Sequence, residues 1–171
     1  MDIAGGVYFR HDDYAPFWLR LLVGLIDAGT FLGLCVVAIF VLSPFVPAKL
    51  ILLVCAAVLF CYFVLLKRSA GGTVGYRVCG VRIVGLDGQL PGLIPLTIRM
   101  LFMVFGPINF LLDLVWMANE DQRQTLRDKF AATYIVKKHA VPAGTGKLTH
   151  RYYHILGYNF LFREVEINRT S

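Results

Sequence analysis

One long apolar segment constrains this chain more than any other feature, because it carries two charges in its first half. Residues 17–42 are almost entirely apolar, and as a helix of about 26 residues they would rise roughly 39 Å, enough to cross a bilayer core. Arg20 and Asp27 lie within this segment. An ionised carboxylate at such a depth costs roughly 2.5 to 3.5 kcal/mol and normally faces protein or a water-filled cavity. Asp27 is therefore the first candidate functional residue.

The overall composition predicts an integral membrane protein whose first partner is the lipid bilayer. Apolar residues make up 57% of the chain and charged residues 16%, against about 45–50% and ~25% in an ordinary soluble domain. The 171 residues are too few for the double bundle of a typical secondary transporter, so we expect a homo-oligomer or a place in a larger membrane complex. The net charge of +6 fits cytoplasmic loops facing anionic lipid, and the absence of a basic helix with base-reading side chains argues against nucleic acid.

Three hydrophobic regions define the predicted fold class. The second, residues 48–66, carries no charge after Lys49 at its start and is followed by Lys67 and Arg68. The third, residues 93–118, is interrupted by Gly106-Pro107 into halves of about 12 residues, each too short to span a bilayer. It can form one kinked span, an interfacial helix followed by a membrane helix, or a re-entrant hairpin. We predict an all-α membrane protein with two full transmembrane helices, a third broken or re-entrant region and a small cytoplasmic β element.

The β element is predicted from two β-branched stretches on either side of the third region. Residues 81–84 and 133–136 have the composition of short strands and could pair outside the membrane. Just before the second stretch, Thr125-x-x-Asp128 resembles a capping box that opens a short helix.

The chain divides into three predicted parts. These are an N-terminal interfacial segment (1–16), a membrane domain (17–138) and a C-terminal tail (139–171). The tail begins as a linker rich in glycine and proline, and residues 165–167 alternate like an edge strand. We expect this tail to dock either on the body of the protein or on a partner.

Arg20 and Asp27 lie on one face of the first helix. Seven residues at 100° each return to within about 20° of the starting direction, roughly 10 Å along the axis. One interpretation is an ion or proton site, or a counter-charge for a substrate. The other is an arginine that reaches the lipid headgroups and an aspartate bonded to a neighbouring helix for packing specificity. The spacing alone leaves both open.

The remaining charged residues are assigned more ordinary roles, with one exception. Asp113, in the third hydrophobic region, is a further candidate site residue. We expect Arg99 to reach the headgroups, and Arg127 and Asp128 to be solvated or to cap a helix. The stretch from Gly72 to Gly75 has the glycines of a phosphate loop but no following Gly-Lys-Ser/Thr. No grouping of histidines, cysteines or nucleophiles fits a metal site or catalysis, so we expect no metal, no cofactor and no enzyme activity.

An ordered series of motifs resembles the RDD family of small membrane proteins, named for one arginine and two aspartates. Arg20 and Asp27 match the first two of these residues. Residues 72–77 (GTVGYR) and 123–133 (RQTLRDKFAAT) resemble the family's glycine-rich and closing motifs. The resemblance covers about residues 14–138.

The resemblance implies particular site residues and a function. It identifies the second aspartate with Asp128, with Asp113 as the alternative, beside Arg20 and Asp27. Arg127 stands where the family commonly has histidine. The family implies a bacterial or archaeal membrane protein, here expected in a bacterial inner membrane, with a role in transport; exchange of a monovalent cation for a proton is proposed for some members.

We therefore expect ion or small-solute transport through a polar site with Asp27. The alternative is a non-transporting accessory or interaction protein. Positive charges cluster before the first span, between the second and third hydrophobic regions, and after the third. By the positive-inside rule this predicts a multi-pass protein of the cell membrane with both termini cytoplasmic, which requires the third region not to cross fully.

Overall fold

Six α-helices and five strands form the part of the chain that the structure, a computed structural model, describes: residues 5–69, 71–106, 108–117, 122–155 and 157–166. The helices are α1 (Phe17–Leu42), α2 (Ala48–Phe60), α3 (Val74–Val78), α4 (Leu93–Leu101), α5 (Ile108–Met117) and α6 (Leu126–Ala131). The strands are β1 (Gly6–Tyr8), β2 (Val81–Gly85), β3 (Thr133–Lys137), β4 (Gly144–Ile155) and β5 (Tyr158–Glu166).

Helices α1 and α2 are long and apolar enough to cross a membrane, as predicted for the first two hydrophobic regions. Helix α2 continues as a π-helix over Cys61–Leu66, giving a second candidate span of 19 residues beside the 26 of α1. Only 11% of the most apolar stretch of α1 and 17% of that of α2 is buried. Because so much apolar surface faces outward, these helices fit a lipid environment better than the core of a soluble protein.

The third hydrophobic region is broken, as predicted. Helix α4 has 9 residues and α5 has 10, so each falls well short of the ~20 that a span requires. Between them lie a short 3-10 helix (Phe102–Phe105) and Gly106, which has a φ of +53°. This left-handed conformation suits glycine because it has no Cβ. Pro107, the second residue of the predicted break, lies outside the described residues.

Strands β2 and β3 pair antiparallel, from Val81 opposite Lys137 to Gly85 opposite Thr133. This confirms the predicted pairing of the two β-branched stretches.

The expectation of an otherwise all-α chain is wrong, because a second sheet of order β1-β4-β5 is also present. Its main part is a long hairpin that turns at Gly157, where φ is +84°. Glycine and proline in residues 139–149 indicated a linker, yet strand β4 already begins at Gly144. Strand β1, with three residues, is too short to give an alternation signal. The predicted edge strand at 165–167 is present at Val165 and Glu166, the last residues of β5; Ile167 lies outside the described residues.

Two buried apolar clusters hold the helices and sheets together. In the first, Phe9 and Tyr14 of the N-terminal segment pack with Tyr134 of β3 and Val165 of β5. The tail therefore packs on the body of the protein. The second cluster lies where α1, the π-helix, α3, α4 and the β2–β3 sheet meet. The charged residues of the candidate site are arranged around this second cluster.

Candidate functional site

Asp27 is buried and faces protein, as predicted; its exposed fraction is 2%. Its Oδ1 accepts hydrogen bonds from the Tyr62 hydroxyl at 2.9 Å and from the Gly75 backbone N–H at 2.7 Å. Its Oδ2 accepts one from the Thr73 hydroxyl at 2.7 Å. Three neutral donors thus stabilise the carboxylate, and they tie α1 to the π-helix and to the start of α3.

The glycine-rich stretch surrounds this carboxylate. A Cβ on Gly75 would lie 2.5 Å from the carbonyl oxygen of Val23 and 2.8 Å from Asp27 Oδ1. Only glycine lets the backbone N–H come this close. The stretch therefore resembles a phosphate loop for a structural reason, because it binds an oxyanion that belongs to the protein itself.

Arg20 is also buried, and all three of its nitrogens donate hydrogen bonds. Nη1 pairs with Asp128 Oδ2, Nε donates to the carbonyl of Ala15 at 2.9 Å, and Nη2 donates to the carbonyl of Arg123 at 2.7 Å. Arg20 therefore faces protein and does not reach the headgroups, and Asp128, 108 residues away in sequence, lies against the first helix.

Arg99 does not reach the headgroups; that expectation is wrong. Its exposed fraction is 4%, it pairs with Asp128 Oδ1, and its Nη1 donates to the Thr133 hydroxyl at 2.9 Å. The physical reason is that α4 packs against α6, which turns this side chain inward. One sequence feature could have indicated this buried role: Arg99 is the one charged residue of the apolar helix Leu93–Leu101.

Asp128 also caps α6, which confirms the predicted capping box. The backbone N–H of Thr125 donates to Asp128 Oδ2 at 3.1 Å, and the Asp128 N–H donates to the Thr125 hydroxyl at 3.2 Å. One carboxylate therefore fixes the helix start and forms ion pairs with two arginines.

Asp113 belongs to a separate ion pair. Arg127 Nη2 lies 2.6 Å from Asp113 Oδ2, and both side chains are largely buried. The expectation of a solvated Arg127 is therefore wrong, since it turns back from α6 toward α5. The structure brings Arg20 together with Asp128, whereas Asp113 pairs with Arg127 and Asp27 is held by neutral donors.

A cavity of about 250 Å³ lies among these groups. Its charged lining residues are Arg20, Asp27, Lys67, Arg99 and Arg127. Apolar residues complete the wall: Ala15, Val23, Ala28, Phe63, Val81, Met100, Met103 and Ile135. Sequence reasoning treated Lys67 only as the end of the second span and missed its place here. Within the described ranges, no three His, Cys, Asp or Glu side chains group as metal ligands would.

The cavity is electrostatically positive, as the pKa of Tyr76 on its wall indicates. Burial raises the pKa of this phenol, but the positive charges of Lys67, Arg99, Arg127 and Arg20 outweigh burial and lower it below the usual range. Sequence reasoning noted Tyr76 only as a departure from a motif.

Two apolar helices, a broken third region and a buried charge network around a cavity define a small membrane protein. The chain belongs to the RDD family, whose model matches residues 14–132; the predicted family is thus confirmed. It is 27% identical over 127 residues to the uncharacterized protein YckC of Bacillus subtilis (strain 168), covering 71% of this chain and 83% of that protein. No solved structure matches the chain significantly. Family membership and the two apolar helices together indicate a membrane location.

Proposed function

We propose that this protein binds a small ion or solute in the cavity and moves it across the membrane. The supporting observation is the cavity itself, which lies among the two candidate spans, α4 and α6 and is lined by charged side chains. Its volume of about 250 Å³ far exceeds the roughly 10–15 Å³ needed for one water. A space of this size, with five charged side chains in an otherwise largely apolar wall, is unfavourable in a small protein unless a ligand occupies it.

Asp27 is the group whose charge we propose responds to occupancy. A proton on this carboxylate would remove its negative charge and so weaken the hydrogen bonds that Tyr62, Thr73 and Gly75 donate to it. Thr73 and Gly75 are two of these donors and belong to the connection from α2 to α3. Neutralising Asp27 would therefore loosen α3 from α1, giving the two arrangements that coupled exchange requires.

The experiment is ion exchange in proteoliposomes. We expect sodium- or potassium-dependent proton flux with the wild-type protein and background flux with Asp27→Asn. Asp12→Asn, a change at an exposed aspartate outside the cavity, is the matched control and should keep the wild-type flux. Both variants must elute from size exclusion as the wild type does. Background flux from folded wild-type protein would contradict the proposal.

A second candidate function, that of an accessory protein, is favoured by the β4–β5 hairpin. The hairpin lies beyond the family match and exposes Tyr152 and Tyr158 by 75% and 71%. Removing the whole tail would take Val165 out of the core, so point changes are the better test. If the hairpin binds a partner or a second copy of the chain, Tyr152→Ser with Tyr158→Ser should abolish co-purification or self-association and leave the protein folded. An unchanged assembly would exclude this role for the hairpin.

A further inference from the structure

The carboxylate that lines the cavity has little capacity left for a cation. Asp27 accepts three hydrogen bonds from neutral groups. Asp128 is shared by Arg20 and Arg99. Asp113 keeps one oxygen without a hydrogen bond, but this residue pairs with Arg127 and does not line the cavity.

Among the described residues that line the cavity, more hydrogen-bond donors than acceptors lack a partner. The Nε–H groups of Arg99 and Arg127 are buried and have no acceptor among the described residues, and both residues line the cavity. Lys67 has neither a hydrogen bond nor an ion pair among the described residues; its ammonium lies 4.7 Å from the centre of the Tyr76 ring and 5.9 Å from that of Phe63. Buried donors without acceptors are unfavourable, so a ligand that supplies acceptors would be stabilised here.

The net charge of the side chains around the cavity also favours a ligand that is an anion. Four cationic side chains line the cavity, and three carboxylates lie in it or directly behind its wall. The excess is one positive charge. The three arginines share the two carboxylates of Asp128 and Asp113, whereas Lys67 and Asp27 have no ion pair among the described residues. The lowered pKa of Tyr76 agrees with a positive potential in this space.

We infer that the cavity binds a small oxyanion, a phosphate or carboxylate group, with Lys67 as its principal counter-charge and the free N–H groups of Arg99 and Arg127 as further donors. Ammonium and guanidinium groups together suit such an anion, one as a compact charge and the other as a directional donor. The inference goes beyond the proposed function, because it assigns an anion to the cavity, whereas the flux assay follows monovalent cations and protons. Asp27 also lines the cavity and its charge repels an anion, but the four cationic side chains of the wall outnumber it.

The test is phosphate binding to the full-length protein in a neutral maltoside detergent. Inorganic phosphate is titrated calorimetrically against a chloride control of equal ionic strength. We expect saturable binding that Lys67→Met weakens at least tenfold and Lys67→Arg largely retains. Lys49→Met is the matched control, since this exposed lysine stands at the opposite end of α2, and it should bind phosphate as the wild type does.

The phosphate group could belong to a free anion or to a lipid headgroup, and lipid analysis of the same samples separates the two. Phosphatidylglycerol that stays bound through detergent exchange in the wild type, but is lost in Lys67→Met, would identify a headgroup. Phosphate binding by protein that carries no phospholipid would identify a free anion. The inference is overturned if folded wild-type protein binds neither, or if Lys67→Met and Lys49→Met bind alike.

The flux assay tests the proposed function, and the phosphate titration tests the oxyanion site, so the failure of one can be told from the failure of the other. Cation and proton flux without any anion binding would overturn the oxyanion site and leave transport standing. Anion binding without flux under any gradient would establish the site and overturn transport.

Discussion

Two opposite charges seven residues apart on α1 are stabilised in different ways. Arg20, near the start of the helix, pairs with a carboxylate and donates to two backbone carbonyls. Asp27, two turns deeper, is held by two hydroxyls and one backbone N–H and has no ion pair among the described residues. Burying a paired charge changes the local net charge little, whereas Asp27 keeps its full negative charge beside the cavity. This difference is why the proposed function assigns the response to occupancy to Asp27 rather than to Arg20.

The close approach at Gly75 gives a stability prediction at the residue scale. Gly75→Ala should destabilise the protein by about 1–3 kcal/mol, because the added methyl would overlap a carbonyl oxygen of α1 and the Asp27 carboxylate. Gly33→Ala is the matched control within α1, where a Cβ meets nothing within 4 Å. It should be neutral or stabilise by up to about 1 kcal/mol through helix propensity. Thermal unfolding in detergent measures both, and equal melting temperatures would contradict the prediction.

Tyr14 gives a pH prediction outside the membrane-spanning helices. Burial, with a smaller contribution from the charge of Asp13, raises its pKa to about 12 from 10.0, although the hydrogen bond from the Phe9 N–H acts in the opposite direction. Between pH 10 and 12 the unfolded chain loses the phenolic proton and the folded protein keeps it, so folding binds a proton and stability falls as pH rises. The Tyr14 contribution is therefore fully present below pH 10 and lost as pH rises through about 12.

Over that pH range the free energy of unfolding of the wild-type protein should fall by about 2–3 kcal/mol because of Tyr14. Tyr14→Phe should be less stable than wild type at pH 8, because it lacks the hydroxyl that accepts from Phe9, but it should lose less on going to pH 12. Tyr158→Phe, at an exposed position of β5, should follow the wild-type curve. The measurement is the free energy of unfolding as a function of pH. If it changed in parallel for all three proteins, the assignment of this pH dependence to Tyr14 would be contradicted.

At the scale of elements, the six-residue helix α6 joins the parts of the molecule. Asp128, the third residue of this helix and part of its capping box, pairs with an arginine from α1 and another from α4. Its Lys129 pairs with Glu164 of β5 at 2.7 Å. An isolated helix of this length has no stability of its own. It persists because neighbouring elements supply its partners.

Asp128→Asn should therefore destabilise far more than the loss of a helix cap. It leaves two buried arginines without their carboxylate, which costs about 3–5 kcal/mol, against about 1 kcal/mol for Thr125→Ala. Asp12→Asn, at an exposed site, should have no effect. The measurement is the yield of monodisperse protein together with its unfolding temperature. Similar values for Asp128→Asn and Thr125→Ala would show that the ion pairs contribute little.

The elements show what the sequence could predict and what it could not. Helices α1 and α2 follow from apolar length, and the start of α6 follows from Thr125 and Asp128, because these signals are local. The place of Asp128 beside Arg20 was predictable from the cost of an unpaired buried arginine. Lys67, Tyr62 and Arg99 were missed as part of the site because their roles depend on which helix faces pack together. The β4–β5 hairpin was missed because strand pairing depends on partners rather than on composition.

For the whole molecule we predict that both termini lie in the cytoplasm. Strand β1 at the N-terminal side pairs with β4 of the tail, which keeps these segments on one side of any bilayer, and the charge clusters favour the cytoplasm. In a variant without native cysteines, Phe45→Cys between the spans should react with an impermeant maleimide in intact cells. Tyr158→Cys should react only after permeabilisation; both positions are exposed. Reaction at Tyr158→Cys in intact cells would contradict the topology.

The ion pair between Arg20 and Asp128 also sets an order of events during synthesis. The two residues are 108 positions apart, so at about 5–20 residues per second the ribosome delivers Asp128 about 5–20 s after Arg20. Throughout that interval the first helix carries an arginine whose carboxylate partner does not yet exist. A nascent chain halted before residue 128 therefore exposes this charge to lipid headgroups or to the insertion machinery. Synthesis of the closing motif, residues 123–133, therefore supplies the carboxylate that Arg20 needs before the first helix can reach its final packing.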